Sequence, residues 1–218
     1  AGDLLGGEQS GVISELGFDM YQKILAEAVQ ELKDEQFEDL FHSDDAPRRF
    51  VREAAIETDF ELLLPDDYVS DIPERIALYR ELDDLDKEEH LAAFKERLED
   101  RFGEIPEQAE GLIDTIRLRW LAEFLGMEKV VLKSGKLIAA FVSDEESPYF
   151  QGPVFARVLD FLKEHPKRTK MYQRNGGLRL SIEDVTSPHV ALELLESIAG
   201  IRAEQAAPEY RTEKAETN

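Results

Sequence analysis

Residues 116–142, IRLRWLAEFLGMEKVVLKSGKLIAAFV, change periodicity halfway along. Up to Phe124 the apolar side chains recur at helical spacing. Ala109, Leu112/Ile113, Ile116, Trp120 and Phe124 line one face, and Leu118, Leu121 and Leu125 widen it. A stripe this wide predicts a helix packed between other elements, with Gly126 ending it. The period then falls to two. KVVLK and KLIAAFV flank Ser134-Gly135, which predicts a hairpin with a two-residue turn. A buried helix running straight into a hairpin sets the fold class as α+β, with several helices packed on a small, mainly antiparallel sheet built from hairpins.

Toward the C-terminus, PVFARVLDFLKEH (153–165) predicts a short helix. MYQRNGGLRLSI (171–182) predicts a second hairpin around Asn175-Gly176, with Leu178, Leu180 and Ile182 in phase. SPHVALELLESIAG (187–200) predicts a helix capped by Ser187 with Pro188 at its first position. Residues 127–200 thus read hairpin–helix–hairpin–helix, without matching residues that would make a repeat. Residues 201–218 hold little to bury and predict a disordered tail.

Toward the N-terminus, a helix starts at Pro106. DKEEHLAAFKERLEDRFG (86–103) predicts another, with Leu91, Phe94, Leu98 and Phe102 as its apolar stripe and Gly103 at its end. Before it, ERIALYRELDDL (74–85) follows Pro73 and a cap at Ser70 or Asp71, with Ile76, Tyr79 and Leu82 inward. IETDFELLLP (56–65) alternates and predicts a strand ending at Pro65. Residues 37–54 read as a linker, and FDMYQKILAEAVQELKDEQ (18–36) as an N-terminal helical segment. The expected organisation is loop and helix over 1–36, linker over 37–54, a main domain over 55–200 and a tail over 201–218.

The net charge of −22 is uneven. Residues 1–110 carry 32 Asp+Glu against 11 Lys+Arg, and residues 111–218 carry 16 against 15. Such a field repels phosphate backbones, so the first half is not a primary nucleic-acid site, and its acidity suits docking on a basic protein surface. No run of eighteen apolar residues and no signal peptide is visible. Cysteine is absent, which excludes disulfides and thiolate chemistry and fits a cytoplasmic protein.

No catalytic constellation assembles. There is no GxxxxGK[ST] phosphate loop, and the glycines of GDLLGGEQSG (2–11) lack GxGxxG spacing. His42, His90, His165 and His189 are scattered and form no metal motif. Acidic pairs such as Asp66-Asp67, Asp83-Asp84 and Glu88-Glu89 sit in turns or on solvated faces, where a carboxylate does no acid–base work. One basic stretch, 157–179, holds seven Lys+Arg against two Asp+Glu. Its Arg157, Lys167, Arg168 and Lys170 are candidates for contact with a phosphate or an acidic partner, and a nucleic-acid-contacting module is the alternative reading. Tyr172 is the lone aromatic there, which does not support a base-stacking platform.

AGDLLGGEQSGVISELGFDMYQKILAEAV (1–29) resembles the segment that follows the last helicase motif of bacterial transcription-repair coupling factors. The family's loop reads RGAGxLLGxxQSG and its helix IGFxLYxxLLxxAV. Ala1, Gly2, Leu4, Leu5, Gly6, Gln9, Ser10 and Gly11 match the loop, and Gly17, Phe18, Tyr21, Leu25, Ala28 and Val29 the helix. The first motif is shared with the branch-migration helicase RecG. LPDDYVSDIPERIALYREL (64–82) and ERLEDRFGEIPEQAEGLIDTIRLR (96–119) resemble the same family's C-terminal regulatory domain. The resemblance covers roughly residues 1–200.

The resemblance implies a parent protein that is an ATP-driven translocase on duplex DNA, using ATP and Mg. It would displace stalled RNA polymerase and recruit the excision-repair protein UvrA. The motor lobes would precede residue 1, so this chain itself would be non-catalytic and need no cofactor. It would supply the end of the translocation motif, with Gln9 between Gly6 and Gly11 coupling hydrolysis to movement, followed by the regulatory domain. That domain would dock on a module resembling UvrB and mask its UvrA surface. Asp100 matches an acidic position on the docking helix. Arg97 stands where the family has another acid, so Glu96 and Glu99 are the substitutes expected to supply that charge.

Overall fold

The computed structural model describes residues 50–144 and 146–207. The predicted helix over 18–36 and the loop holding Gly6, Gln9 and Gly11 lie outside the described residues.

The hairpin chemistry is obeyed. Strands β2 (Met127–Lys133) and β3 (Lys136–Phe141) meet at Ser134 and Gly135, both at positive φ, 53° and 72°. Strands β4 (Thr169–Arg174) and β5 (Gly177–Glu183) meet at Asn175 and Gly176, at 53° and 75°. Both are turns of the kind whose twist matches the flanking strands. Strand β1 (Ala55–Thr58) completes a five-stranded sheet of order β1-β2-β3-β5-β4, in which β1 runs parallel to β2 and every other pair is antiparallel. The fold is α+β, as the periodicities required.

Six α-helices are described: α1 (Ile72–Asp83), α2 (Glu88–Phe102), α3 (Glu107–Phe124), α4 (Pro153–Glu164), α5 (Pro188–Ala199) and the short α6 (Ala203–Ala206). Asp71 caps α1, its carboxylate accepting from the Glu74 N–H at 2.8 Å, and Ser187 caps α5 through the Val190 N–H at 3.1 Å. Helix α3 packs against β2, α5 and α6. Its buried Ile113, Ile116, Leu118, Trp120 and Leu121 are the breadth of stripe that the sequence showed.

Where α3 passes into β2, Gly126 has φ +70° and a Cβ there would lie 2.3 Å from the Tyr149 ring. Tyr149 is buried among Phe50, Phe141, Phe150 and Phe155, with ring centroids 5.1–6.1 Å apart, and donates its hydroxyl proton to the Leu125 carbonyl.

Four expectations change. The 56–65 strand stops at Thr58, because the Thr58 hydroxyl takes the Phe60 N–H at 3.0 Å and bends the chain out of the ladder. Ile76 points outward, 46% exposed, while Leu82 is buried and the Tyr79 hydroxyl receives the Leu64 N–H at 2.7 Å. The linker contributes to the core at its end, through buried Val51 and Ala54. The tail is not featureless from residue 201. Ala203, Ala206 and Ala207 are buried against α3, and Glu196 accepts the Ala203 N–H at 2.8 Å.

Candidate functional site

Helix α2 buries Leu91, Phe94 and Leu98, each no more than 1% exposed. The 3.6-residue period then leaves Glu89, Ala92, Ala93, Glu96, Glu99 and Asp100 exposed along the opposite side. Glu96, Glu99 and Asp100, three of the residues singled out in the sequence, are thereby brought together within one helical turn. Glu89, Ala92 and Ala93 extend that face by about two further turns. These three were not singled out in the sequence, although the same periodicity points to them.

The cations of α2 are engaged elsewhere. Arg97 is ion-paired to Glu81 of α1, and its guanidinium lies 5.7 Å from the Phe94 ring centroid. Arg101 is ion-paired to Glu74 of α1 and lies 5.2 Å from the Phe102 ring. Lys95 reaches Glu110 of α3 at 2.9 Å. Glu96, Glu99 and Asp100 form no ion pair among the described residues. The field of Glu99 reaches Tyr68, which donates to the Leu98 and Gly103 carbonyls at the end of α2. The Tyr68 hydroxyl is held above the usual tyrosine range by burial first, then by Glu99 and Glu110.

A fixed base supports this face. Arg117 of α3 grips Glu88 at the start of α2 with two nitrogens, and Arg119 holds both the carboxylate and the carbonyl of Asp83 at 2.9 Å. Bidentate pairs of this kind fix orientation as well as position. Ion pairs thus tie α2, which carries the acids, to both α1 and α3, and tie α3 to α1.

A cleft of about 520 Å³ opens beside it, lined by Phe60, Leu62, Lys95, Asp114, Arg117 and His189 among others. Asp114 is 8% exposed, 3.9 Å from Arg117 and 3.4 Å from the exposed His189. Its carboxyl is raised above the ordinary range by burial, which outweighs the attraction of His189 and Arg117. Asp114 gave no signal in the sequence, where it reads as one polar residue in an apolar helix. No group of three His, Asp or Glu side chains able to hold a metal occurs among the described residues.

The basic candidates do not form one site. Arg157 donates to the Ala199 carbonyl at the end of α5. Arg168 donates to the Glu183 carbonyl at 3.0 Å, with its Nε buried. Lys167 and Lys170 are exposed.

The TRCF domain family matches residues 58–151, the span from the end of β1 through the three-helix base and first hairpin. This chain belongs to the transcription-repair coupling factor family. The transcription-repair-coupling factor of Escherichia coli (strain K12) is 31% identical over 198 residues, which cover 88% of this chain and 16% of that protein. That of Rickettsia typhi is 30% identical over 174 residues, covering 80% and 14%. The chain therefore spans about a sixth of the length of these relatives. A solved C-terminal domain of a transcription-repair coupling factor shares the fold at 19% identity with a TM-score of 0.52, over 76% of this chain and 97% of that one. Among the described residues no helix is long and apolar enough to cross a membrane.

Proposed function

We propose that this coupling-factor chain is the regulatory part of a longer ATP-driven translocase, acting by docking and not by catalysis. The acidic face of α2 binds a basic surface on the parent protein's UvrB-like module. In that state it masks the UvrA site and restrains the motor until RNA polymerase is engaged. The observation that carries this reading is the set of unpaired carboxylates Glu96, Glu99 and Asp100 beside exposed Ala92 and Ala93, with the neighbouring arginines turned onto α1. Small apolar residues beside several charges suit an interface that must release. Exposed ion pairs contribute under about 1 kcal/mol each, and a coupling of about 1–3 kcal/mol is enough to bias two states.

Calorimetric titration of the purified UvrB-like module into this chain tests the reading. Association at low salt that weakens as salt rises is expected, and none at high protein concentration would refute it. This chain alone is expected to hydrolyse no ATP above background, with or without duplex DNA. DNA-stimulated turnover would overturn the non-catalytic assignment.

A further inference from the structure

The sheet has a second face, which the acidic surface does not involve. Cross-strand partners share a face, so the register sorts every residue that has one. Val130, Ala139, Leu180 and Met171 form one inward row, and Leu132, Leu137, Ile182 and Thr169 the next, all buried. The residues between them point to the opposite side. One outward row is Lys129, Ala140, Arg179 and Tyr172. The next is Glu57, Val131, Ile138, Ser181 and Lys170, and Lys133, Lys136 and Glu183 form a third. Arg174 shares the side of Lys170 and Tyr172 by alternation along β4.

The paired residues on this face comprise six cations and two carboxylates, in a chain whose net charge is −22. Glu57 neutralises Lys129 at 2.6 Å and Glu183 neutralises Lys136 at 2.8 Å. Lys133, Lys170, Arg174 and Arg179 form no ion pair among the described residues. They surround the half-buried pair Val131 and Ile138, with Tyr172 at the side.

We propose that the open face of the sheet is a docking surface for an acidic polypeptide segment that carries apolar side chains. The charge of the surface is complementary to such a segment, and the centre selects against a nucleic acid. Val131 and Ile138 offer aliphatic surface, whereas single-stranded nucleic acid requires aromatic planes for stacking and finds one, Tyr172. Duplex DNA, with about one charge per 1.7 Å, is also repelled more strongly by the acidic remainder of the chain than a short peptide is. The surface is independent of α2, so it can hold a second segment while α2 is docked.

The test is fluorescence anisotropy at low salt with two labelled probes. One is a synthetic Glu-rich peptide with Phe and Leu at alternate positions, and the other a single-stranded DNA oligonucleotide. The proposal expects saturable peptide binding that weakens at least about tenfold in Lys170→Glu/Arg179→Glu and, separately, in Ile138→Ser, which alters no charge. Circular dichroism and melting of both variants establish that they fold. Peptide binding unaffected by both changes would overturn the proposal, as would absence of binding up to about millimolar peptide. Oligonucleotide binding that the same changes abolish, with no peptide binding, would overturn it in favour of a nucleic-acid surface. Glu96→Lys/Glu99→Lys/Asp100→Lys, made on the other surface, is expected to leave peptide binding intact, so the two docking faces can fail independently.

Discussion

Arg97 of α2 is ion-paired to Glu81 of α1 and rests over its own neighbour Phe94. A basic residue in the middle of an acidic docking face would otherwise contradict the role given to that face. The pairing removes the conflict, because the guanidinium neutralises a carboxylate on the adjacent helix and leaves Glu96, Glu99 and Asp100 uncompensated. Arg97→Gln should therefore cost little stability, under about 1 kcal/mol by urea unfolding, since both partners are half-exposed. It should tighten association with the basic module a few-fold at low salt, because Glu81 is released to the face. Weaker association in this variant would show that Arg97 itself touches the partner.

Reversing the face is the complementary measurement. Glu96→Lys/Glu99→Lys/Asp100→Lys should weaken association by at least about tenfold, with the largest loss at low ionic strength, where screening is least. All three side chains are exposed, so the melting temperature should move by only a few degrees. An unchanged affinity would place the docking surface elsewhere.

Local rules made much of this fold legible. Ser134-Gly135 and Asn175-Gly176 specify their hairpins through positive φ, and Ser187-Pro188 and Asp71 specify helix starts through capping. The parallel pairing of β1 with β2 was not legible, because it joins residues more than seventy positions apart and leaves no mark in either strand. The extent of β1 was misread because Phe60, Leu62 and Leu64 alternate like a strand, but they lie in an irregular segment where Phe60 and Leu64 join the core and Leu62 lies against Gly111 of α3. The acidic face followed from one periodicity. What could not be read was which acids have partners, since Arg97 and Arg101 choose theirs from a different helix.

Gly126 joins a backbone requirement to a packing one. Its φ of +70° disfavours any L side chain, and a Cβ would enter the ring of Tyr149 at the centre of the aromatic cluster. Gly126→Ala should destabilise the domain by about 3 kcal/mol or more, summing strain and overpacking. Tyr149→Phe keeps the ring and removes the bond to the Leu125 carbonyl, so it should cost less, about 1–2 kcal/mol. Urea unfolding of both variants checks the order, and a mild Gly126→Ala would mean that the α3–β2 junction can shift.

The last described turn can be tested by truncation. Ending the chain after Arg202 removes buried Ala203, Ala206 and Ala207 and uncovers the part of α3 beneath them. It should cost about 2 kcal/mol, from three small side chains and the apolar surface they cover. A truncated chain as stable as the full one would show that α6 adds nothing to the core.

Asp114 gives the domain a pH signature with a definite sign. Burial raises its carboxyl above the ordinary 3.8, so the folded state holds a proton over a range where the unfolded chain has released it. With more protons bound in the folded state, stability falls as pH rises from 3.8 through the raised value and is level again above it. Asp114→Asn removes this dependence. The variant's stability relative to the parent should therefore rise across that window and stay constant at higher pH. Three charged groups act on Asp114: Arg117 and Glu110 from α3 and His189 from α5. Comparing the two proteins in a His189→Gln background isolates the carboxyl from the imidazole. A difference that falls with rising pH would show that the attraction of Arg117 outweighs burial and would reverse the assignment.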